Sequence, residues 1–303
     1  MNAGTGARLL IAATLAGLAG SAANDSFLAY SAAMEGRKAA TLGAVADAAA
    51  HMPLERVLAM GDSGWMLTPR YAALVRFGLW DEMIAVLPPD PRAPGLTAGY
   101  LYARGVALAA RGRLEEARRT LADLEALAAR VPAGAMAGHN PLRDVLGIAV
   151  PVVAARIAAS DGRSDEAIRL LEQAVAAEDG LAYDEPADWF FPVRHLLGAQ
   201  LLESGRAAEA ERVYRRDLER HPANGWALYG LAAALRAQGR TAAAAGATRE
   251  FAAAWRHADV RLSASAFWFA GPDRTRCECE RQSSGQRQTG GELLGAQHEA
   301  RVH

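Results

Sequence analysis

Histidine is the side chain best suited to acid–base or metal chemistry near neutral pH. The chain has seven, at 51, 139, 195, 221, 257, 298 and 303. None pairs with another at the i, i+4 spacing that puts two ligands on one helix face. Cys277 and Cys279 have one residue between them, with His298 and His303 further on. Zinc sites favour two to four intervening residues, so no metal is expected there. Lys38 is the only lysine, and any Schiff-base or P-loop chemistry would rest on it alone. The chain has no P-loop, no GxGxxG after a strand, no HExxH and no GxSxG. A nucleophile triad assembles in space rather than in sequence, and nothing points to one. These observations predict no catalytic residue, no metal and no cofactor.

The most distinctive stretch runs from Glu178 to Arg194. It holds Glu178, Asp179, Asp184, Glu185 and Asp188, then Trp189, Phe190, Phe191 and Pro192. One reading is an acidic and aromatic lip that grips a basic or proline-containing ligand, or a cation. The other is an insertion whose aromatics plug a groove between helices and whose carboxylates cap the next helix. The packing reading is favoured, because Trp189 to Phe191 lead straight into a segment with Val193, Leu196 and Leu197 at helical spacing.

The elements that hold these residues follow from composition. Of 303 residues, 71 are alanine and 7% are aromatic, which favours closely packed helices over sheet. Lys+Arg is 33 against Asp+Glu 34, so net charge gives no support to a nucleic-acid or polyanion binder. Two cysteines exclude a disulfide scaffold. No apolar run approaches the roughly 18 to 20 residues of a membrane span. Residues 1–23 place Arg8 before an apolar stretch from Leu9 to Gly20, then Ser21-Ala22-Ala23. This is either a signal peptide, which implies export, or an ordinary helix of the fold, which implies a cytoplasmic protein.

A phrase recurs along the chain: a small-residue helix, Gly-Arg, then a helix opening on acidic residues and alanine. It appears at Glu35-Gly36-Arg37, Gly112-Arg113-Leu114-Glu115-Glu116-Ala117, Gly162-Arg163-Ser164-Asp165-Glu166-Ala167, Gly205-Arg206-Ala207-Ala208-Glu209-Ala210 and Gly239-Arg240-Thr241. A weaker copy is Gly78-Leu79-Trp80-Asp81-Glu82-Met83. Each glycine ends a helix in the left-handed conformation, and the acids suit the dipole of the next helix. The acid-rich helices carry one apolar face, such as Leu114, Ala117, Leu121 and Leu124, or Ala210, Val213, Tyr214 and Leu218. Pro53, Pro132 and Pro222 close three of them, and Pro88-Pro89 cut one short. Ala210, Leu197, Leu231 and Leu121 are the expected core.

The glycines at 78 and 112, and at 205 and 239, are 34 apart. This pattern resembles the tetratricopeptide repeat. The resemblance is carried by Leu197, Gly198, Leu201, Gly205, Ala210, Tyr214 and Pro222 in the fifth copy. In the sixth it rests on Leu228, Leu231, Ala232, Leu235, Gly239, Ala244 and Phe251. It is strongest in copies three, five and six, and weakest in two. The strings Phe27-Leu28-Ala29-Tyr30, Val75-Arg76-Phe77-Gly78, Tyr183-Asp184-Glu185-Pro186 and Asn224-Gly225-Trp226-Ala227 resemble the C-terminal part of a group of longer bacterial tetratricopeptide-repeat proteins. Those carry a His-rich half, and a His-Asn-x-His-Phe phrase where this chain has Ala23-Asn24-Asp25-Ser26-Phe27.

The resemblance implies an all-α, right-handed superhelical solenoid of five or six antiparallel helix pairs across 24–269. Residues 270–303, rich in Gly, Gln, Ser, Arg and Glu with few apolar residues, read as a disordered, low-complexity tail. The resemblance also implies a non-catalytic scaffold or adaptor that binds a peptide or partner helix in its concave groove. Mapped on the repeat, groove positions include Tyr102, Arg156, His195, Glu203, Trp226, Tyr229 and Arg236, flanked by Asp184, Glu185, Asp188 and Trp189. Aromatic and arginine side chains dominate interface energetics. Two other readings are an enzyme or enzyme helper with a site at 178–194, and a structural protein that stacks on itself.

Overall fold

The computed structural model describes residues 21–268. The readings of residues 1–20 and of the 270–303 tail lie outside them. Six helix pairs follow one another. They are α1 (21–34) with α2 (Lys38–His51), α4 (Pro69–Arg76) with α5 (Trp80–Ala85), and α6 (Pro94–Ala110) with α7 (Leu114–Arg130). Then come α8 (Leu142–Ser160) with α9 (Ser164–Asp179), α10 (Val193–Glu203) with α11 (Ala207–Arg220), and α12 (Gly225–Ala237) with α13 (Thr241–Ala254). The short α3 (Leu54–Ala59) and a 3-10 turn (Trp65–Leu67) separate the first two pairs. Among the described residues the strands are two-residue arms of one hairpin, β1 (Met136–Ala137) and β2 (Asn140–Pro141). The chain is an all-α helical-repeat array.

The joints follow from the recurring phrase. Gly36, Gly78, Gly112, Gly162, Gly205 and Gly239 all have φ between 67° and 77°, the left-handed turn that lets one helix end and the next reverse over it. The arginine after three of these glycines has a further role. Arg113, Arg163 and Arg206 reach forward to Glu116, Glu166 and Glu209 in the first turn of the following helix. These pairs lie at or near the surface and contribute little energy, but they explain the Gly-Arg-x-x-Glu spacing. Pro88-Pro89 leave α5 only six residues long.

The first helix of each later pair is the inner one. On α8, α10 and α12 apolar side chains are buried on nearly every side, whereas α7 and α11 bury a single stripe. Ala210, Leu197 and Leu231 are buried as expected. Leu121 is only half-buried, because the stripe of α7 is centred on Ala117, Thr120 and Leu124, which turns Leu121 to its edge.

The two ends of the array meet. The Trp226 indole Nε1–H donates to the Ala33 carbonyl at 3.0 Å, and Trp255 packs against Gly36. Asp259 accepts from the Lys38 and Ala39 backbone N–H groups at 2.6 and 2.8 Å, so a carboxylate some 220 residues away caps α2. Beyond α13 the chain runs without regular structure over 258–268 along the inner helices. Ser265 Oγ donates to the His195 carbonyl at 2.8 Å and meets Tyr214 Oη at 2.6 Å. Phe267 lies against Gly78, and Trp268 is buried beneath the Arg156 guanidinium. The inner face is therefore occupied by the protein's own C-terminal stretch.

Candidate functional site: an apolar cleft beside the acidic loop

The insertion between α9 and α10 (180–192) is pinned at both ends. Glu178 accepts from the Val193 backbone N–H at 3.1 Å and caps α10, while the buried Arg194 binds Asp179. Its middle is held by the hairpin. Asn140 donates from Nδ2 to the Ala182 carbonyl (3.0 Å) and to Asp188 Oδ2 (2.7 Å), and accepts from Ala182 N–H (2.7 Å). Asp184 accepts from the His139 N–H at 3.1 Å. A Cβ at Gly138 would collide with the carboxylates of Asp184 and Asp188, so this corner accepts only glycine. Trp65 donates from Nε1 to the Asp188 carbonyl at 3.0 Å and ties the loop to the 3-10 turn.

These ties leave a cleft of about 230 Å³. Its walls are α1, the 3-10 turn, α6 and the loop, and the lining is mostly apolar, with Phe27, Trp65, Met66 and Phe190 prominent. At its base Gly99 lets α6 approach Thr68 so closely that a Cβ would overlap it. Tyr102 and Trp189 meet edge to face in the wall, ring centroids 4.9 Å apart. Both side chains are buried, and neither the Tyr102 hydroxyl nor the Trp189 indole N–H has a partner. Buried polar groups are normally satisfied, so two orphans in one wall are notable. Burial raises the Asp188 carboxyl to about 6, and neighbouring Asp184 adds to the shift.

A second cluster lies inside the array. Arg76 Nη1 meets His195 Nδ1 at 3.1 Å, and His195 Nε2 meets Asp217 Oδ2 at 3.0 Å. Arginine can only donate, so Nδ1 accepts and Nε2 carries the proton toward Asp217. That fixes a neutral imidazole between a cation and an anion, in keeping with burial lowering the His195 pKa. Burial also pushes Arg76 down to about 9, which leaves it charged at neutral pH. Its guanidinium lies 3.6 Å from the Trp226 ring centroid and 4.9 Å from that of Phe191. All three polar residues are at most 2% exposed. This cluster braces α4 against α10 and α11 and has no opening for a substrate.

The tetratricopeptide-repeat family model matches at residues 98–123, 192–216 and 225–250. These are α6–α7, α10–α11 and α12–α13, the third, fifth and sixth pairs. These three helix pairs are tetratricopeptide repeats. No curated protein and no solved structure gives a significant match. Such repeats generally mediate protein–protein interaction and are generally not catalytic. Among the described residues no helix is long and apolar enough to cross a membrane.

With the repeats in register, the residues expected to line one concave strip separate into three places. Tyr102, Asp184, Glu185, Asp188 and Trp189 come together at the cleft. His195, Trp226 and Arg156 are interior, which corrects the expectation of an open strip there. Trp226 is 0% exposed, boxed by Phe77, Trp255 and Phe267 with Arg76 on its face. Arg156 is covered by Trp268 and donates to Ser160 Oγ at 2.6 Å. Tyr229 and Arg236 turn instead to the last helix, against Phe251 and Thr248, and Glu203 is exposed at the end of α10. The residues of the acidic stretch divide between packing and the border of the cleft. Glu178 caps a helix and Trp189 to Phe191 plug the interior, yet Asp184, Glu185 and Asp188 border the cleft. Sequence reasoning missed Phe27, Trp65, Met66 and the clamp at Asn140. The one local signal was Gly138-His139-Asn140, a turn-forming triplet in an otherwise helical stretch.

Proposed function

We propose that this protein is a non-catalytic interaction module that docks a polypeptide partner at the cleft between α1, the 3-10 turn, α6 and the loop 180–192. The observation that carries this reading is an apolar cleft with Phe27 and Met66 exposed at 43% and 39%, bordered by Asp184 and Glu185, on a helical-repeat scaffold. A concave pocket lined by aromatic residues and rimmed by polar ones is the usual form of an anchor site. The inner face of the array is the alternative place for a peptide, and residues 258–268 already fill it. Docking there would require that segment to leave. Affinity capture of the natural partner tests the choice. The Met66→Asp variant loses the partner, while Tyr229→Ala and Arg236→Ala retain it. Loss with the α12 variants and retention with Met66→Asp would move the docking face to the end of the array.

A further inference from the structure

The charge of the cleft sets it apart from the rest of the surface. Asp184, Glu185 and Asp188 line it, and no lysine, arginine or histidine does. Elsewhere, partly buried carboxylates draw arginines. Asp161 takes Arg118 and Arg163, and Glu211 takes Arg215 and Arg240. The three carboxylates at the cleft pair with no arginine or lysine among the described residues. Asp188 accepts from the Asn140 amide and Glu185 from the Tyr183 hydroxyl, both neutral donors. His139 approaches Asp184 alone, Nδ1 3.3 Å from Oδ1. The crowding shows at Gly138, where a single added Cβ would meet the carboxylates of both Asp184 and Asp188. Burial raises the Asp188 carboxyl to about 6, and the charge of Asp184 adds to the shift. An occupant can reach this group, since Glu185 is exposed and the Asp184 side chain is 16% exposed. Beside it lie apolar walls around about 230 Å³. A dry cavity of about 150 Å³ takes a benzene ring, so the cleft has room for one large apolar side chain.

We propose that the cleft takes an apolar side chain of the partner that stands beside an arginine or lysine, whose cationic end meets Asp184, Glu185 and Asp188. This deepens the docking reading and rests on it. The apolar side chain covers the walls, and the cation relieves the repulsion among the three carboxylates. An apolar segment without a cation would leave that repulsion in place. An acidic segment would add to it, so the border also excludes wrong partners.

The test uses the full chain with ¹³C-methyl methionine. Met66 lines the cleft, and its signal is assigned by its loss in Met66→Leu. N-acetyl-leucyl-argininamide is titrated against its uncharged isostere, N-acetyl-leucyl-citrullinamide. The expected result is a saturable shift of the Met66 methyl with the arginine compound and at least fivefold weaker binding of the citrulline compound. The Met60 methyl, exposed but outside the cleft, does not shift. Raising salt from about 0.05 to about 0.5 M narrows the difference, because the charge contribution is screened. Glu185→Gln lies at an exposed position, so it leaves the melting temperature unchanged and lowers the preference for arginine at least twofold. Adding Asp184→Asn removes the preference, and an otherwise unchanged methyl spectrum shows that the fold is kept. No saturable shift, equal binding of the two compounds, or an unaltered preference in Glu185→Gln overturns the proposal. If the two compounds bind equally while Met66→Asp still loses the partner, the charge selection is wrong and the docking face stands. If the arginine preference holds while Met66→Asp retains the partner, the cation site stands and the docking reading fails.

Discussion

Replacing Trp226 by alanine separates a core residue from a binding residue. On sequence it is the most prominent aromatic of the inner helices, and in the structure it is 0% exposed. The substitution removes a fully buried indole, for which tryptophan-to-alanine changes cost about 3–5 kcal/mol. It also breaks the hydrogen bond to the Ala33 carbonyl and strips one ring from the buried Arg76. A loss of about 4 kcal/mol is a reasonable centre for these effects, since relaxation around the cavity offsets part of them. For a domain of this size, each kcal/mol moves the melting temperature by roughly 2–4 °C, so a fall of roughly 8–16 °C is expected. Far-ultraviolet circular dichroism measures it, with Tyr229→Ala as the half-buried control that falls much less. Partner binding, normalised to folded protein, stays unchanged. A melting temperature within about 3 °C of wild type would refute the placement of Trp226 and, with it, the closure of the array.

Other expectations follow from single contacts. Asp259→Ala removes the remote cap of α2 and is expected to cost about 1 kcal/mol, read as a lower urea midpoint, while the nearby Arg256→Ala has little effect. Gly230→Ala places a Cβ in the Tyr214 ring and destabilises the array, whereas Gly246→Ala meets open space in α13 and stabilises it by up to about 1 kcal/mol. Asp188 is raised from 3.8 to about 6 in the folded state, so the folded form holds its proton more tightly than the unfolded chain does. Its contribution is fully present below pH 4 and lost as pH rises through 6. Asp188→Asn should therefore flatten the fall in melting temperature between pH 4 and 6.5, and an unchanged slope would count against the half-buried carboxyl.

The sequence revealed the array through local features. Six Gly turns, the acidic first turns and the single apolar stripes of α7 and α11 act over a few residues, where periodicity is readable. What it hid depends on contacts far apart in the chain. The pairs Trp226–Ala33, Asp259–Lys38 and Arg76–His195 join positions more than 100 residues apart, and no spacing rule announces them. Closure is what turns His195, Arg156 and Trp226 from groove positions into core. The cleft was half legible. Asp184 to Trp189 stood out by composition, but Tyr102 joins them through contacts distant in sequence, with Gly99 letting α6 close on Thr68 and Asn140 tying the hairpin to the loop.

The claim that the partner docks at the cleft, outside a self-filled inner face, is tested most directly by hydrogen exchange on the purified complex. The account predicts slower exchange on partner binding at 65–69, 99–102 and 183–191, with 258–268 as protected as in the free protein. Faster exchange at 258–268 together with protection along α8, α10 and α12 would contradict it. That result would mean the partner enters the inner groove by displacing the protein's own segment.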